Sequence, residues 1–372
     1  MPVVADIYHR IFNPDRDEHA VPVLDGGFAP NQRLEDASEL AQFDAPDGMA
    51  LAPDGKLFVT AGTSIWVIEA GDFSSPSIFA TVDRPAGAIA LTRSGELLVA
   101  VAGQGVLAFD MSGRNIAHLA SAGDAPLACV TSIAVAEDGT VYLTDGSRHN
   151  DFEHWVKDLV EQAPGSGRII AATDNLSVAK VLADGLALPG GVALAADQTA
   201  LLVTEAWSHC LLSMSRHGGD KKVIVRNFAG YPGRISPCRD GTFLIAFLTL
   251  RTQLVEFILR ERDFCRRMMR EIPPNLWIAP SLGGSFHCLE PTQLGQMRKL
   301  GIHKPWAPAR SYGLIARLNE TGRAIESMHS RAAGTRHGIM QAIADGGRLL
   351  VLSKGHGKLV SVPLGATGGE VH

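Results

Sequence analysis

The chain has 372 residues, and its composition and charge narrow the classes of protein to which it can belong. A formal net charge of −5 provides no basic surface for nucleic acid, and a hydrophobic content of 46% allows a large buried core. The five cysteines are an odd number and lie far apart, so we expect small buried residues and no disulfide framework. No apolar run has the length of a signal peptide core or a membrane span, which predicts a cytoplasmic protein.

A repeating hairpin runs through the chain. Each copy is a short apolar strand, a turn and a second apolar strand, and the first copy reads Pro46-Asp-Gly-Met-Ala-Leu-Ala-Pro-Asp-Gly-Lys-Leu-Phe-Val-Thr60. Neighbouring copies are 40, 44, 59, 43 and 105 residues apart, measured between turns at Asp54, Ser94, Asp138, Asp197, Asp240 and Asp345. A period of about 40–45 residues with several short strands per copy is typical of β-propeller blades. We therefore predict an all-β fold, a single six-bladed β-propeller domain over residues 1–372.

The two ends of the chain are predicted to complete one blade. The sixth copy has three readable strands, at about 338–343, 348–353 and 358–363. A ring of blades leaves no open strand edge only if both ends of the chain contribute to one blade. We expect residues 34–43 to supply the outer strand of the sixth blade.

The two long steps between copies predict insertions on one face of the ring. In an antiparallel meander, the loop after the second strand returns to the end where the first strand begins, which we call the top face. Insertions at 147–165 and 248–309 follow second strands, so we expect both to rise from the top face as lids. Residues 251–270 carry apolar side chains at near-helical spacing, which predicts a partly helical lid. The minor alternative for this helix, with six Arg against three acidic residues, is contact with a membrane surface.

Three sequence segments resemble those of a known family. They are Ala29-Pro-Asn-Gln-Arg-Leu34, the fourth copy Asp184-Gly-Leu-Ala-Leu-Pro-Gly-Gly-Val-Ala-Leu194 with Thr204-Glu-Ala-Trp-Ser-His209, and Asn227-Phe-Ala-Gly-Tyr-Pro-Gly-Arg-Ile235. The chain resembles the strictosidine synthase-like family, a branch of the gluconolactonase and paraoxonase group of six-bladed propellers. This resemblance spans about residues 20–363. Since the group includes lactonases, esterases and a condensing enzyme, it implies the fold more closely than the activity.

The residue seven before each turn opens the innermost strand at the mouth of the central channel. These ring residues are Asp47, Gly87, Thr131, Gly190, Gly233 and Gly338. In metal-dependent members of the family, the ring supplies a Glu, two Asn and an Asp or Asn to a calcium-type ion. Asp47, Thr131 and Gly190 fall where the Glu and the two Asn would be, and Gly233-Arg234 replaces the Asp-Asn pair. One carboxylate beside a guanidinium suits a hard cation poorly, so we expect no metal and no other cofactor.

The condensing enzyme of the family uses a Glu on the innermost strand of the last blade, where this chain has Met340. His337 lies three residues earlier, at the predicted mouth. Arg234 could stabilise an oxyanion or bind a substrate carboxylate. His337 could be the general base that activates water, with Asp47 orienting it or raising its pKa. The non-catalytic alternative is that His337 and Arg234 are partners in a polar, water-filled channel.

The candidate substrate-binding residues are top-face residues of the blades and the first lid: Thr131, His149, Glu205, Trp207, Tyr231 and Met340. A structural hydrogen bond between neighbouring blades would explain Glu205 equally well.

We expect a metal-independent enzyme, a hydrolase acting on a small organic lactone or ester. Two alternatives stay open: a lyase or condensing enzyme of strictosidine synthase type, and a non-catalytic small-molecule-binding propeller. Convergence of His337 and Arg234 within about 6–8 Å on one closed pocket would favour catalysis, because reacting groups need hydrogen-bond reach directly or through water. The sequence carries no signal for an oligomeric state.

Overall fold

The structure is a computed structural model, and it describes residues 20–71, 73, 75–163, 165–284, 298–299, 302–303 and 310–364. Across these residues, six four-stranded antiparallel sheets are arranged as the blades of a propeller. The innermost strand of each blade contacts the innermost strands of both neighbouring blades, and blade 6 returns to blade 1. The predicted all-β, six-bladed propeller is therefore confirmed.

The strands are numbered in chain order, and each blade is described from the axis outward. Blade 1 contains β2 (Pro46–Leu51), β3 (Leu57–Ala61), β4 (Ser64–Ile68) and β5 (Ser77–Thr81). Blade 2 contains β6 (Ala86–Leu91), β7 (Leu97–Val101), β8 (Gly105–Phe109) and β9 (Asn115–Leu119). Blade 3 contains β12 (Val130–Val135), β13 (Val141–Asp145), β14 (Gly167–Ala172) and β15 (Ala179–Leu186).

Blade 4 contains β16 (Pro189–Leu194), β17 (Ala200–Glu205), β18 (Cys210–Ser215) and β19 (Lys222–Val225). Blade 5 contains β20 (Gly230–Pro237), β21 (Phe243–Leu250), β24 (Gly313–Leu318) and β25 (Ala324–Ser330). Blade 6 contains β26 (Ile339–Asp345), β27 (Arg348–Ser353), β28 (Lys358–Pro363) and β1 (Ser38–Gln42). Two short hairpins pair β10 (Ser121–Ala122) with β11 (Ala125–Pro126) and β22 (Arg298–Lys299) with β23 (Ile302–His303).

The second strand of each blade is rich in apolar residues because blades pack on both of its faces. Strands β3, β7 and β13 are buried along their whole length, whereas the outer strands β5 and β9 are largely exposed or half-buried. The cores lie between adjoining blades: Phe58 of blade 1 packs with Leu97 and Val99 of blade 2, for example. Full burial of one such side chain contributes about 1.5–3 kcal/mol to the free energy of folding.

The recurring Asp-Gly turn has a local cause. The Asp54 carboxylate accepts a hydrogen bond from the backbone N–H of Lys56, and the Asp138 carboxylate accepts one from Thr140 in the same way. Gly55 follows with φ +87°, in the left-handed region that glycine adopts without steric cost. Each turn is therefore specified by its own residues, which is why the period could be read from the sequence.

The N-terminal segment joins blades 5 and 6. Strand β1 pairs antiparallel with β28 and is the outer strand of blade 6, somewhat shorter than the segment 34–43 expected to form it. Before it, Leu34 is fully buried. The Glu35 carboxylate accepts hydrogen bonds from Ser330 Oγ (2.6 Å) and the backbone N–H of Thr335 (2.8 Å). The segment is thus anchored by side chains as well as by strand pairing.

Both insertions leave the propeller after the second strand of a blade. The first contains a short 3₁₀ helix (Phe152–His154) and α1 (Lys157–Glu161), and the second contains α2 (Gln253–Arg260), α3 (Arg262–Glu271) and a 3₁₀ helix (Pro274–Leu276). The single helix expected over 251–270 is two helices, because Glu261 has non-helical torsion angles (φ −90°, ψ 73°). Residues 285–297, 300–301 and 304–309 of the second insertion lie outside the described residues.

The two insertions pack on each other through apolar side chains. Val160 of α1 lies in one cluster with Ile258, Cys265, Met268 and Trp277 of the second insertion. The apolar face of the helical segment is therefore used for packing within the lid, as the spacing predicted. None of the helices in the described part of the chain has the length and apolar content needed to span a bilayer.

Deletion of residues 1–43 tests the role of the N-terminal segment. The truncated protein should aggregate and lose its cooperative thermal transition, because it exposes the edge of β28 and removes the contacts of Leu34 and Glu35. Size-exclusion chromatography and thermal melting would measure this, with a chain starting at residue 20 as the control. A soluble, cooperatively melting chain starting at residue 44 would contradict closure by β1.

Candidate functional site

A cavity lies at the mouth of the central channel, beneath both insertions. Its volume is about 50 Å³, which gives room for a few water molecules. The innermost strands and the loops before them contribute Asp47, Thr131, Leu188, Gly190, Gly233, Arg234 and Met340. The lids contribute Phe152, Trp155 and Leu282, and second strands and their loops contribute Leu248 and Lys354. Four of the six predicted ring residues therefore line one cavity, together with residues of both insertions.

Arg234 spans the mouth of the channel. Its Nη2 lies 2.5 Å from Asp47 Oδ1, its Nη1 donates to the backbone carbonyl of Asp47, and its Nε donates to the carbonyl of Thr131 at 2.9 Å. The guanidinium of blade 5 is thereby bound to blades 1 and 3, neither of which adjoins blade 5. Several fixed contacts of this kind hold the plane of a guanidinium in one orientation.

Asp47, Arg234 and Lys354 form a polar group that we call the floor of the cavity. Lys354 Nζ lies 2.9 Å from Asp47 Oδ2 and 2.6 Å from Glu153 Oε1 of the first insertion. Sequence reasoning missed Lys354, although it follows β27 in a loop that the meander rule places on the top face. It matched no family motif, and its reach depends on the long lysine side chain.

The charges on the floor are fixed at neutral pH. Burial alone would raise the pKa of Asp47, but the charges of Lys354 and Arg234 outweigh it and lower this pKa to about 2. Burial alone would lower the pKa of Lys354, but the carboxylates of Asp47 and Glu153 outweigh it and raise this pKa. Asp47 is therefore ionised and weakly basic, and Lys354 is a permanent cation under working conditions.

Two ring glycines give the lids room to reach the channel. A Cβ atom at Gly87 would lie 2.8 Å from the ring of Phe152, and one at Gly338 would lie 2.6 Å from the carbonyl oxygen of Leu282. Contacts this short are not found for real Cβ atoms, so any larger residue would push the lids outward. Gly87 and Gly338 therefore allow the apolar roof to lie against the ring.

The side chain of His337 is not among the described residues that line the cavity. Its ring is buried. Nε2 lies 2.9 Å from the carbonyl oxygen of Arg331, and Nδ1 lies 2.8 Å from Ser311 Oγ. Because a carbonyl only accepts hydrogen bonds, Nε2 carries the proton and Nδ1 accepts from the hydroxyl. A general base at the mouth does not fit this placement.

The other candidate residues divide into those in the cavity and those behind it. Thr131 and Met340 line it. Trp207 lies behind the lining residue Trp155, with the two rings stacked at 5.4 Å between centroids, and Tyr231 meets Trp207 edge-on at 5.5 Å. These two residues position Trp155.

Glu205 and His149 lie outside the lining. Glu205 Oε1 accepts a hydrogen bond from the backbone N–H of Ala187 at 2.9 Å, which supports the structural alternative for this carboxylate. His149 is exposed in the first insertion. Sequence reasoning also missed Phe152 and Trp155, although two aromatic residues three apart in a top-face insertion were a signal for a roof.

The residues at the mouth do not fit a calcium-type ion. The floor holds the carboxylate of Asp47 between two cations, and a Cβ atom at Gly190 would lie 2.8 Å from the carbonyl oxygen of Pro232. A ligand side chain at residue 190 is therefore excluded by backbone. Within the described ranges, no group of three or more His, Cys, Asp and Glu residues could bind a metal ion.

The fold and the cavity define a class of protein, a six-bladed propeller with a lidded site at the top of its axis. Solved structures share this fold, among them a gluconolactonase from Xanthomonas campestris (TM-score 0.57, 13% identity, 89% of this chain and 91% of that chain covered). The calcium-binding protein regucalcin from Agrobacterium tumefaciens is also similar (TM-score 0.56, 12% identity, 88% and 92% covered). At these identities the likeness shows the fold alone.

Part of the chain is, more particularly, similar to strictosidine synthase-like proteins. The family model described as strictosidine synthase matches residues 131–214. The Arabidopsis thaliana protein STRICTOSIDINE SYNTHASE-LIKE 4 is 28% identical over 215 residues, which cover 55% of this chain and 56% of that protein. Adipocyte plasma membrane-associated protein of Mus musculus is 26% identical over 274 residues, covering 67% and 65%. The chain thus spans about half to two thirds of the length of these relatives, and the resemblance found in the sequence is confirmed.

Calcium is predicted to have little effect on stability. Adding millimolar calcium, or EDTA, should change the melting temperature by less than about 1 °C, because a ligand far below its dissociation constant adds almost nothing to the free energy of unfolding. Differential scanning fluorimetry would measure this, with magnesium at equal concentration as the control. Stabilisation by several degrees, specific to calcium, would show that the mouth binds this ion after all.

A second prediction concerns His329, which meets the ring of Tyr312 next to His337. Its ring is fully buried, and Nε2 lies 2.7 Å from Ser327 Oγ. Burial and the nearby Arg331 lower the pKa of His329 to about 4. The unfolded state binds a proton below pH 6.5, whereas the folded state does so only near pH 4, so His329 destabilises the fold progressively as pH falls through this range. Burial also lowers the pKa of His356, which acts in the same direction.

Urea unfolding at pH 7 and pH 5 would measure this effect of His329. The free energy of unfolding of the wild type should fall by about 1–2 kcal/mol more than that of His329→Asn, following the usual linkage of proton binding to stability. The exposed His217 provides the control, and His217→Asn should follow the wild type. Equal losses in wild type and His329→Asn would show that His329 is not the titrating group.

Proposed function

We propose that the protein is a metal-independent hydrolase of a small organic lactone or ester, with the axial cavity as its active site. The observation that carries this proposal is the placement of the Arg234 guanidinium in a roofed cavity whose other walls are largely apolar. In such a site the attraction between a cation and a developing negative charge is much stronger than in water. An apolar substrate with one polarised carbonyl group suits this arrangement.

Arg234 supplies the electrophilic group in this proposal. Among the contacts of the described residues, three of its N–H groups are used, by the carboxylate and carbonyl of Asp47 and by the carbonyl of Thr131. A guanidinium has five N–H donors, so two remain, and the proposal requires at least one of them to donate to a substrate carbonyl oxygen. The same donors stabilise the oxyanion formed when water attacks the carbonyl carbon.

The reaction itself consumes only water. A C–O bond forms between water and the carbonyl carbon, the ester C–O bond breaks, and a proton from the water passes to the departing alkoxide. A lactone thus yields a hydroxy acid. Asp47, with a pKa of about 2, accepts a hydrogen bond from the attacking water and orients it, and is too weak a base to remove its proton in the ground state.

A second candidate function is a non-catalytic small-molecule-binding propeller. The low pKa of Asp47 and the raised pKa of Lys354 favour it, and His337 is not among the described lining residues, so none of these is a base tuned to neutral pH. The lyase or condensing alternative has less support, because Met340 lines the cavity where the family enzyme has its Glu.

Replacement of Arg234 tests the proposal. Arg234→Lys keeps a charge beside Asp47 but removes the planar fork, so it should fold normally and hydrolyse lactones or aryl esters about 10²–10³-fold more slowly, as expected for loss of an oxyanion donor. Arg234→Met should in addition destabilise the fold by about 3 kcal/mol, because it breaks a buried ion pair. A panel of lactones and aryl esters, assayed with EDTA present, would measure turnover.

The exposed Arg114 provides a control, and Arg114→Met should change neither stability nor turnover. Full activity in folded Arg234→Lys would rule out the role proposed for the guanidinium. Absence of turnover across the panel, with small molecules still bound in the cavity, would favour the binding propeller.

A further inference from the structure

The ion pair between Lys354 and Glu153 joins the cavity floor to the first lid. Glu153 Oε1 lies 2.6 Å from Lys354 Nζ, which also lies 2.9 Å from Asp47 Oδ2. The three side chains differ in exposure: 4% for Asp47, 13% for Lys354 and 36% for Glu153. Glu153 is therefore the most exposed of the three.

The charges of the floor are balanced only when Glu153 is counted. Arg234 and Lys354 carry two positive charges, and Asp47 carries one negative charge among the residues that line the cavity. The second negative charge comes from the lid. Without the carboxylate of Glu153, the floor would keep one excess positive charge beside apolar walls, where it is poorly hydrated and attracts an anion strongly.

The lid does not need Glu153 to stay in place. Phe152 fills the space above Gly87, and Trp155 stacks on Trp207. Val160 packs against the second insertion. The 3₁₀ helix that carries Glu153 is capped by Asp151, which accepts hydrogen bonds from two of its backbone N–H groups. The side chain of Glu153 can therefore leave Lys354 by rotation about its own bonds while the roof remains closed.

We propose that Glu153 holds the place of a ligand carboxylate, and that the natural ligand is a small apolar molecule that carries a carboxylate group. On binding, the ligand carboxylate replaces that of Glu153 at Lys354 Nζ and restores the balance of charge. Its apolar body lies against Phe152, Trp155 and Leu282. This inference rests on the proposed function in that it takes the same cavity as the site and names the class of molecule it accepts.

The two cations of the floor lie at different places, and this favours one orientation of such a ligand. Lys354 lies on the side of the first lid, whereas Arg234 is bound to Thr131 and to the backbone of Asp47. A ligand whose carboxylate is on Lys354 therefore directs another polar group, such as a carbonyl, toward Arg234. The two cations would bind two different groups of one molecule.

Binding of phenylacetate and of its neutral isostere phenylacetamide tests the inference. In Glu153→Gln, phenylacetate no longer competes with a lid carboxylate for Lys354. Its dissociation constant should therefore fall at least about fivefold. This factor corresponds to about 1 kcal/mol, the free energy of a partly exposed ion pair. Phenylacetamide should bind equally to wild type and variant. Isothermal titration calorimetry would measure both, and added salt should weaken the binding of phenylacetate alone.

Glu161→Gln is the matched control. Glu161 lies in the same lid, has almost the same exposure (35%) and pairs with Lys157 at 3.6 Å, but it is not part of the cavity floor. This variant should bind both compounds as the wild type does. Lys354→Gln should lose the preference for phenylacetate.

Calorimetry separates this inference from the proposed hydrolysis, because it does not depend on turnover. Tighter binding of phenylacetate by Glu153→Gln supports the inference even if no lactone or ester is hydrolysed. Equal affinities for the acid and the amide in a folded Glu153→Gln protein would overturn it, even if neutral lactones are hydrolysed. Tightening of equal size in Glu161→Gln would overturn it as well, by showing a general effect of lid charge.

Discussion

The ion pair between Arg234 and Asp47 is the constraint on which the mouth of the propeller depends. It joins residues 187 positions apart in the chain, and its neighbours Thr131 and Lys354 bring in two further blades. Desolvation offsets much of the attraction in a buried pair, so its net contribution to stability is small, while loss of one partner is costly. The pair therefore acts chiefly on geometry: it holds blades 1, 3, 5 and 6 in one arrangement around a cation that faces the cavity.

The polar and apolar sides of the cavity have a common origin in the ring residues. Where the ring has Asp47 and Thr131, side chains extend to Arg234 and to neighbouring backbone. Where it has Gly87 and Gly338, Phe152 and Leu282 of the lids lie close to the ring. Glycine at these two ring positions thus makes room for an apolar roof. The apolar lining in turn strengthens the field of the charged groups of Asp47, Arg234 and Lys354.

Local rules explain what could be predicted from the sequence. Each Asp turn is specified by its own hydrogen bonds and each inner strand by its apolar run, so the number of blades, the ring residues and the faces of the insertions followed from a simple count. The same count did not predict the direction of the His337 side chain. It locates a backbone position, whereas the direction of a side chain depends on local torsion angles. Gly338, with φ +61°, turns the chain just after His337 and just before β26.

Long-range packing explains the rest. Lys354 reaches the floor from a loop that carries no motif, and Glu153 meets it only because the first lid is anchored by Phe152 and Trp155. The break at Glu261 in the second insertion was likewise hidden by an apolar spacing that continues across both helices. Such contacts join segments about 200 residues apart, and no periodicity within either segment encodes them.

A fixed guanidinium also limits the chemistry that this mouth can support. A divalent ion lowers the pKa of bound water and so creates a nucleophile, whereas a guanidinium donates hydrogen bonds and cannot be discharged at working pH. Asp47 cannot create a nucleophile from water in this way, because the cations of Lys354 and Arg234 lower its pKa to about 2. Any acceleration at this site must come from orientation of the bound molecule and from stabilisation of developing negative charge. Both depend on the fit of the ligand between roof and floor, so in the proposed hydrolysis the same contacts would determine selectivity for the ligand and chemical rate.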